Sequence, residues 1–126
     1  MVNNPQEDVT ELLAPMLRKT LYVALIKALA TSDEMLPFGA GHLRYMNELE
    51  ACGVLLASGP FVQGGVIVGD GLTILNTSDA AKAPRLMEEE PLVKRGMRSF
   101  ELRKWELRKG RISIKLHLSR SAFDLN

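Results

Sequence analysis

Two periods organise the apolar positions of the chain. In NPQEDVTELLAPML, Val9, Leu12, Leu13 and Met16 recur at helical spacing. Asn4 suits the cap, Pro5 the first helical position and acidic residues the first turn, while Pro15 kinks or ends the helix. Arg18 and Lys19 stand near its C-terminus, where cations are favoured. TLYVALIKALA has little polar alternation and predicts a strand with both faces covered. TSDEMLPFGAG, with its Pro and Gly breakers, predicts a linker. Leu43, Met46 and Leu49 share one side of a segment whose other sides carry Arg44, Asn47, Glu48 and Glu50, which predicts a helix over about 42–52 stopped by Gly53.

VLLASGPF predicts the second strand and GLTILNTS the third, with the glycine-rich FVQGGVIVGDG between them as a loop or hairpin. SDAAKAPRLMEEEP predicts a helix capped by Ser78, with Pro84 set against it. Pro91 ends the acidic run or starts a short new turn. Phe100, Leu102 and Trp105 mark a further strand; Ile112, Ile114, Leu116 and Leu118 alternate strictly in the next, with a turn near Arg108–Gly110.

The order is α-β-α-β-β-α-β-β. Without the first helix and last strand it is βαββαβ, the ferredoxin-like pattern of an α+β domain. Such a sheet carries helices on one face only. The strands here are apolar enough that the other face is expected to be covered, the usual solution being a second subunit, sheet facing sheet. A length of 126 residues fits one domain, with residues 1–18 as a helical extension and 110–126 as a C-terminal strand and tail.

The net charge of +1 gives no overall field towards nucleic acid or membrane. Residues 94–115 do concentrate base (Lys94, Arg95, Arg98, Arg103, Lys104, Arg108, Lys109, Arg111 and Lys115 against Glu101 and Glu106). Trp105 alone is little aromatic support for a nucleic-acid surface, so a solvated strand face is the favoured reading. GGVIVGDG lacks the spacing of a phosphate loop. No apolar run is long enough to span a membrane, and no signal-peptide order opens the chain. Cys52 is expected as buried filling, and a lone cysteine suits a reducing cytoplasm. No His, Cys, Asp and Glu cluster has metal-site spacing, so any chemistry is expected to be free of metal and cofactor.

His42 heads the stretch HLRYMNELEACGVLLASGPF. Histidine passes protons near neutral pH. It either works so here or only helps to start the helix after Gly39 and Gly41. Glu88, Glu89 and Glu90 read alone as a solvated acidic face. Ser58 and Phe61 either line a pocket, by hydrogen bonding and stacking, or belong to a strand end where Gly59 and Pro60 terminate pairing. The role of Tyr45 stays open. His117, beside Ser113 and Lys115 on the polar alternation of the last strand, is expected to be exposed.

LLAPMLRKTLYVALIKA, HLRYMNELEACGVLLASGPF and EEEPLVKRGMRSFELRKWELRKGRISIKL together resemble the YciI-like (YCII-related) proteins, a branch of the dimeric α/β-barrel proteins. The resemblance implies a homodimer with a pocket in each subunit for a small molecule. It also implies a histidine–aspartate pair for acid/base chemistry, at positions matching His42 and Glu90, with Glu89 as the neighbour if the register shifts. Chemistry in and near the family includes removal of HCl from a chlorinated hydroxyhydroquinone, muconolactone isomerisation and cofactor-independent oxygenation. The implied activity is a cofactor-free lyase or isomerase acting on a small planar hydroxylated or anionic compound. The alternative is a homodimer that binds a small ligand without chemistry. Two departures stand out: Glu90 replaces aspartate, and Leu92 stands where an aromatic residue is common. The extra methylene is expected to carry the carboxylate past the imidazole by about an ångström, enough to cost on the order of a hundredfold in rate.

Overall fold

The computed structural model describes residues 5–125. Asn4, the expected first cap, lies outside them. The chain divides into two compact units, one made of its two ends and the other of Thr20–Glu106. The first contains helix α1 (Pro5–Leu13) and a hairpin of β5 (Ile114–His117) and β6 (Ala122–Leu125). α1 stops ahead of Pro15, whose ring and missing N–H end the ladder.

The central unit holds a four-stranded sheet. Its strands are β1 (Lys19–Ala28), β2 (Leu55–Gln63), β3 (Val66–Leu75) and β4 (Arg98–Leu107), in the order β2-β3-β1-β4. β3 runs antiparallel to both β1 and β2. A helix follows β1 and another follows β3, which gives the ferredoxin-like βαββαβ subunit expected for the α+β class. Cross-strand partners share a face, so Tyr22 with Leu75 and Ala24 with Thr73 point one way, and Val23 with Ile74 and Leu25 with Leu72 the other. Ala24, Ile26 and Leu75 form the core with Ala83 and Met87 of helix α4 (Lys82–Glu88).

Several boundaries differ from expectation. The supposed linker after β1 folds as α2 (Ser32–Met35) and a 3-10 turn (Leu36–Phe38), running into α3 (Gly39–Ala51). Thr31 and Glu34 make a reciprocal capping box there, which outweighs the nearby Pro and Gly. The glycine-rich segment is a hairpin whose turn falls at Gly64 and Gly65, both at positive φ. Pairing does not stop at Gly59 and Pro60: β2 continues to Gln63, with a register shift between Pro60 and Val62. β2 is an edge strand, where proline is tolerated.

Ser78 does not cap α4. Asp79 Oδ1 accepts from the N–H groups of Ala81 and Lys82 instead. Pro84 sits in the first turn of α4, where no backbone donor is needed. Cys52 is exposed, because the helix ends one residue before it and the chain turns outward through Gly53 at φ +76. At the C-terminus the alternating segment forms only the short β5, which pairs with the unforeseen β6 after a 3-10 turn over Leu118–Arg120. Ile112 and Leu118 fall outside β5.

Candidate functional site

The second short helix after β3, α5 (Pro91–Lys94), is built around Glu90. Pro91 takes the first helical position, and Glu90 caps from an extended backbone. Its Oε1 accepts from Leu92 N–H and its Oε2 from Val93 N–H, both at 3.2 Å. Glutamate is longer than the usual capping residues, and the added reach lets the same carboxylate extend to α3. There His42 Nδ1 lies 2.6 Å from Glu90 Oε1. The expected misfit of about an ångström is therefore absent: the backbone at the cap is set so that glutamate meets the imidazole.

The pair is sheltered, with side-chain exposures of 20% for His42 and 3% for Glu90. Burial by itself pushes the Glu90 carboxyl upwards. The hydrogen bond from His42, the two backbone N–H groups and the attraction of the imidazole outweigh this and hold it below the ordinary glutamate range. Glu90 is thus an anion at neutral pH. It fixes the proton of His42 on Nδ1 and leaves Nε2 as the basic nitrogen.

Both residues line a cavity of about 600 Å³ walled by α3, β2 and β3, a volume in the range of small-molecule sites. Glycine keeps this wall thin. A side chain at Gly71 would meet the Gly59 carbonyl oxygen at 2.9 Å. One at Gly69, at φ +92, would meet the Ala28 side chain at 2.9 Å. Between them Asp70 Oδ1 accepts from Ala28 N–H at 2.9 Å, fastening β3 to the end of β1. The GDG stretch that failed as a phosphate loop is a clasp.

The remaining candidates divide. Ser58 lines the cavity, with its hydroxyl 2.8 Å from that of Thr73, its cross-strand partner. Tyr45 does not line it. Its hydroxyl donates to the Leu86 carbonyl, and burial together with the Glu89, Glu90 and Glu48 carboxylates pushes the phenol upwards. Tyr45 therefore ties α3 to α4. Phe61 lies at the register shift of β2, is exposed and is also outside the lining. Glu89 pairs with Lys94 at the surface, so the register places Glu90, not its neighbour, on His42.

Sequence reasoning missed Arg98, the first residue of β4. It lines the same cavity, and its Nε is buried without a hydrogen-bond partner among the described residues. Nothing in the basic run from Lys94 to Lys115 distinguishes it from its neighbours. No group of three or more metal-ligating side chains occurs among the described residues. None of the described helices is long and apolar enough to cross a membrane.

The family model of the YCII-related domain matches residues 20–106, which is the whole central unit. The chain belongs to the YCII-related family. A solved structure with the same fold is the 5-chloro-2-hydroxyhydroquinone dehydrochlorinase of Burkholderia phenoliruptrix AC1100 in complex with 2,5-dihydroxybenzoquinone. The TM-score is 0.58 and the identity 20%, over 68% of this chain and 92% of that one. At that identity the likeness is one of fold. Comparison with curated protein sequences gives no match.

Proposed function

We propose that this YCII-related protein is a cofactor-independent acid/base lyase or isomerase acting on a small planar hydroxylated or anionic compound, with His42 as the proton-transfer group and Glu90 as its orienting partner. The observation that carries this reading is the 2.6 Å contact of His42 with a buried, ionised Glu90 on the wall of a cavity of about 600 Å³. In such an arrangement His42 Nε2 takes a proton from a substrate hydroxyl or carbon, while Glu90 stabilises the imidazolium that forms. The electron pair left on the substrate then expels a leaving group such as chloride, or returns to another carbon that is protonated in turn. The first course releases HX and the second isomerises; neither calls for an oxidant.

Ser58 shapes the wall in this proposal, while Tyr45 and Phe61 take no part in contacting substrate. The dehydrochlorinase of the same fold, bound to a dihydroxybenzoquinone, supports a planar oxygenated ring as the substrate class. The proposal includes a homodimer through facing sheets. Val23, Leu25, Leu72 and Ile74 form an apolar outer face bordered by Arg103, Lys104 and Trp105, suited to a second copy.

Halide release from a panel of halogenated hydroxyhydroquinones tests the reading, with the His42→Ala variant run alongside. Release by the wild type that the variant loses is the expected result. Binding of these compounds without any His42-dependent turnover would overturn the enzyme and leave a ligand-binding homodimer.

A further inference from the structure

We infer that Arg98 receives an acceptor oxygen of the ligand in the His42–Glu90 cavity, so that the site takes a planar molecule with a carbonyl, enolate or phenolate oxygen opposite its acidic proton. This deepens the acid/base reading and rests on it for the role of His42.

The argument begins with what Arg98 lacks. An arginine side chain offers five N–H donors and no acceptor, and leaving a buried donor unpaired is costly. Yet its Nε is buried with no partner among the described residues. The carboxylates on the same wall are engaged elsewhere or exposed: Glu90 with His42 and two backbone N–H groups, Asp70 through Oδ1 with Ala28 N–H, and Glu50 at the surface. Ser58 and Thr73 bond to each other. The amide of Asn47 stands at the exposed rim, and among the ionisable side chains of this wall those left open to a ligand are His42, through Nε2, and the Arg98 guanidinium.

These two have complementary tasks. When His42 removes a proton from one end of a conjugated ring, the electron pair moves through the ring onto an oxygen at the other end. A guanidinium on the cavity wall, with its Nε shielded from water, stabilises that developing oxyanion more than it stabilises the ground-state carbonyl. The charge then returns through the ring to expel the leaving group or take up a proton, and Arg98 is unchanged.

Titration of 2,5-dihydroxybenzoquinone, followed by its visible absorption, tests the assignment on wild type, Arg98→Met, Arg98→Lys and His42→Gln. Arg98→Met is expected to weaken binding on the order of ten- to hundredfold, with Arg98→Lys between it and the wild type. Thermal unfolding of Arg98→Met is expected at or above the wild-type temperature, since no protein partner is lost. Equal affinity in wild type and Arg98→Met, absence of binding by the wild type, or a marked loss of stability in Arg98→Met would each overturn the assignment, the last by making the guanidinium an anchor of the fold. Turnover lost in His42→Gln but insensitive to Arg98→Met removes Arg98 and keeps the acid/base reading. Arg98-dependent binding with no His42-dependent turnover does the reverse.

Discussion

Two histidine–carboxylate pairs in this protein are almost equal in length, His42 with Glu90 at 2.6 Å and His117 with Asp124 at 2.7 Å. Their surroundings differ. The second pair joins β5 to β6 in the terminal hairpin, with side-chain exposures of 36% and 60%. Water competes for both of its partners there and salt screens them. The first pair is sheltered in the central unit, its carboxylate is held by two further backbone donors, and its histidine borders a cavity. A short distance is common to both. What distinguishes a candidate site is that the carboxylate is kept ionised by fixed donors and that the free imidazole nitrogen has somewhere to put a substrate.

The largest predicted contrast is in rate. His42→Ala is expected to lower turnover on the order of a hundredfold or more, the usual contribution of a positioned acid or base, while His117→Ala leaves it unchanged. Steady-state kinetics of the two variants on any substrate found by the halide screen checks this. Next comes stability. Glu90→Ala removes a buried anion that serves an imidazole and a helix cap together, and should cost on the order of 3 kcal/mol in urea unfolding. Asp124→Ala, at the surface, should cost less than about 1 kcal/mol.

A smaller effect follows from the acid limb. The folded Glu90 carboxyl lies below its ordinary range, so the unfolded chain binds the proton more readily. The stabilisation is full above the ordinary glutamate value of about 4.3 and is lost as pH falls through the lower folded value. Glu90→Gln should therefore flatten the pH dependence of stability in that window, as read from unfolding midpoints between about pH 5 and pH 2. The smallest contrast is with salt. Raising sodium chloride should erase most of the difference between Asp124→Asn and wild type while leaving that between Glu90→Gln and wild type largely intact.

The fold was legible because long apolar runs such as LYVALI and LTIL leave few alternatives to buried strands, and Gly53 marks where α3 must end. The capping box at Thr31 and Glu34 was also written in the sequence, and its threonine-to-glutamate spacing was the available signal. Asp79 displacing Ser78 as the helix-start acceptor was less legible, since either side chain can do it and the turn geometry decides. His42 and Glu90 were joined by resemblance, across 48 positions that no local pattern connects. Arg98 could not be singled out, because burial of one arginine within a basic strand depends on which way the strand faces. The exposure of Phe61 was hidden for a similar reason, since it stands where two steps along β2, from Pro60 to Val62, run against four along β3, from Gly71 to Ile67, an irregularity that no local pattern announces.

Proton transfer by the His42–Glu90 pair is the central claim, and it can be observed without knowing the physiological reaction. The measurement is deuterium uptake at the ring carbons of 2,5-dihydroxybenzoquinone in heavy water, followed by proton NMR with wild type, His42→Ala and His117→Ala. The account predicts exchange accelerated by the wild type and by His117→Ala and reduced to the background rate in His42→Ala. Exchange that the wild type does not accelerate, or that His42→Ala accelerates equally, would contradict it.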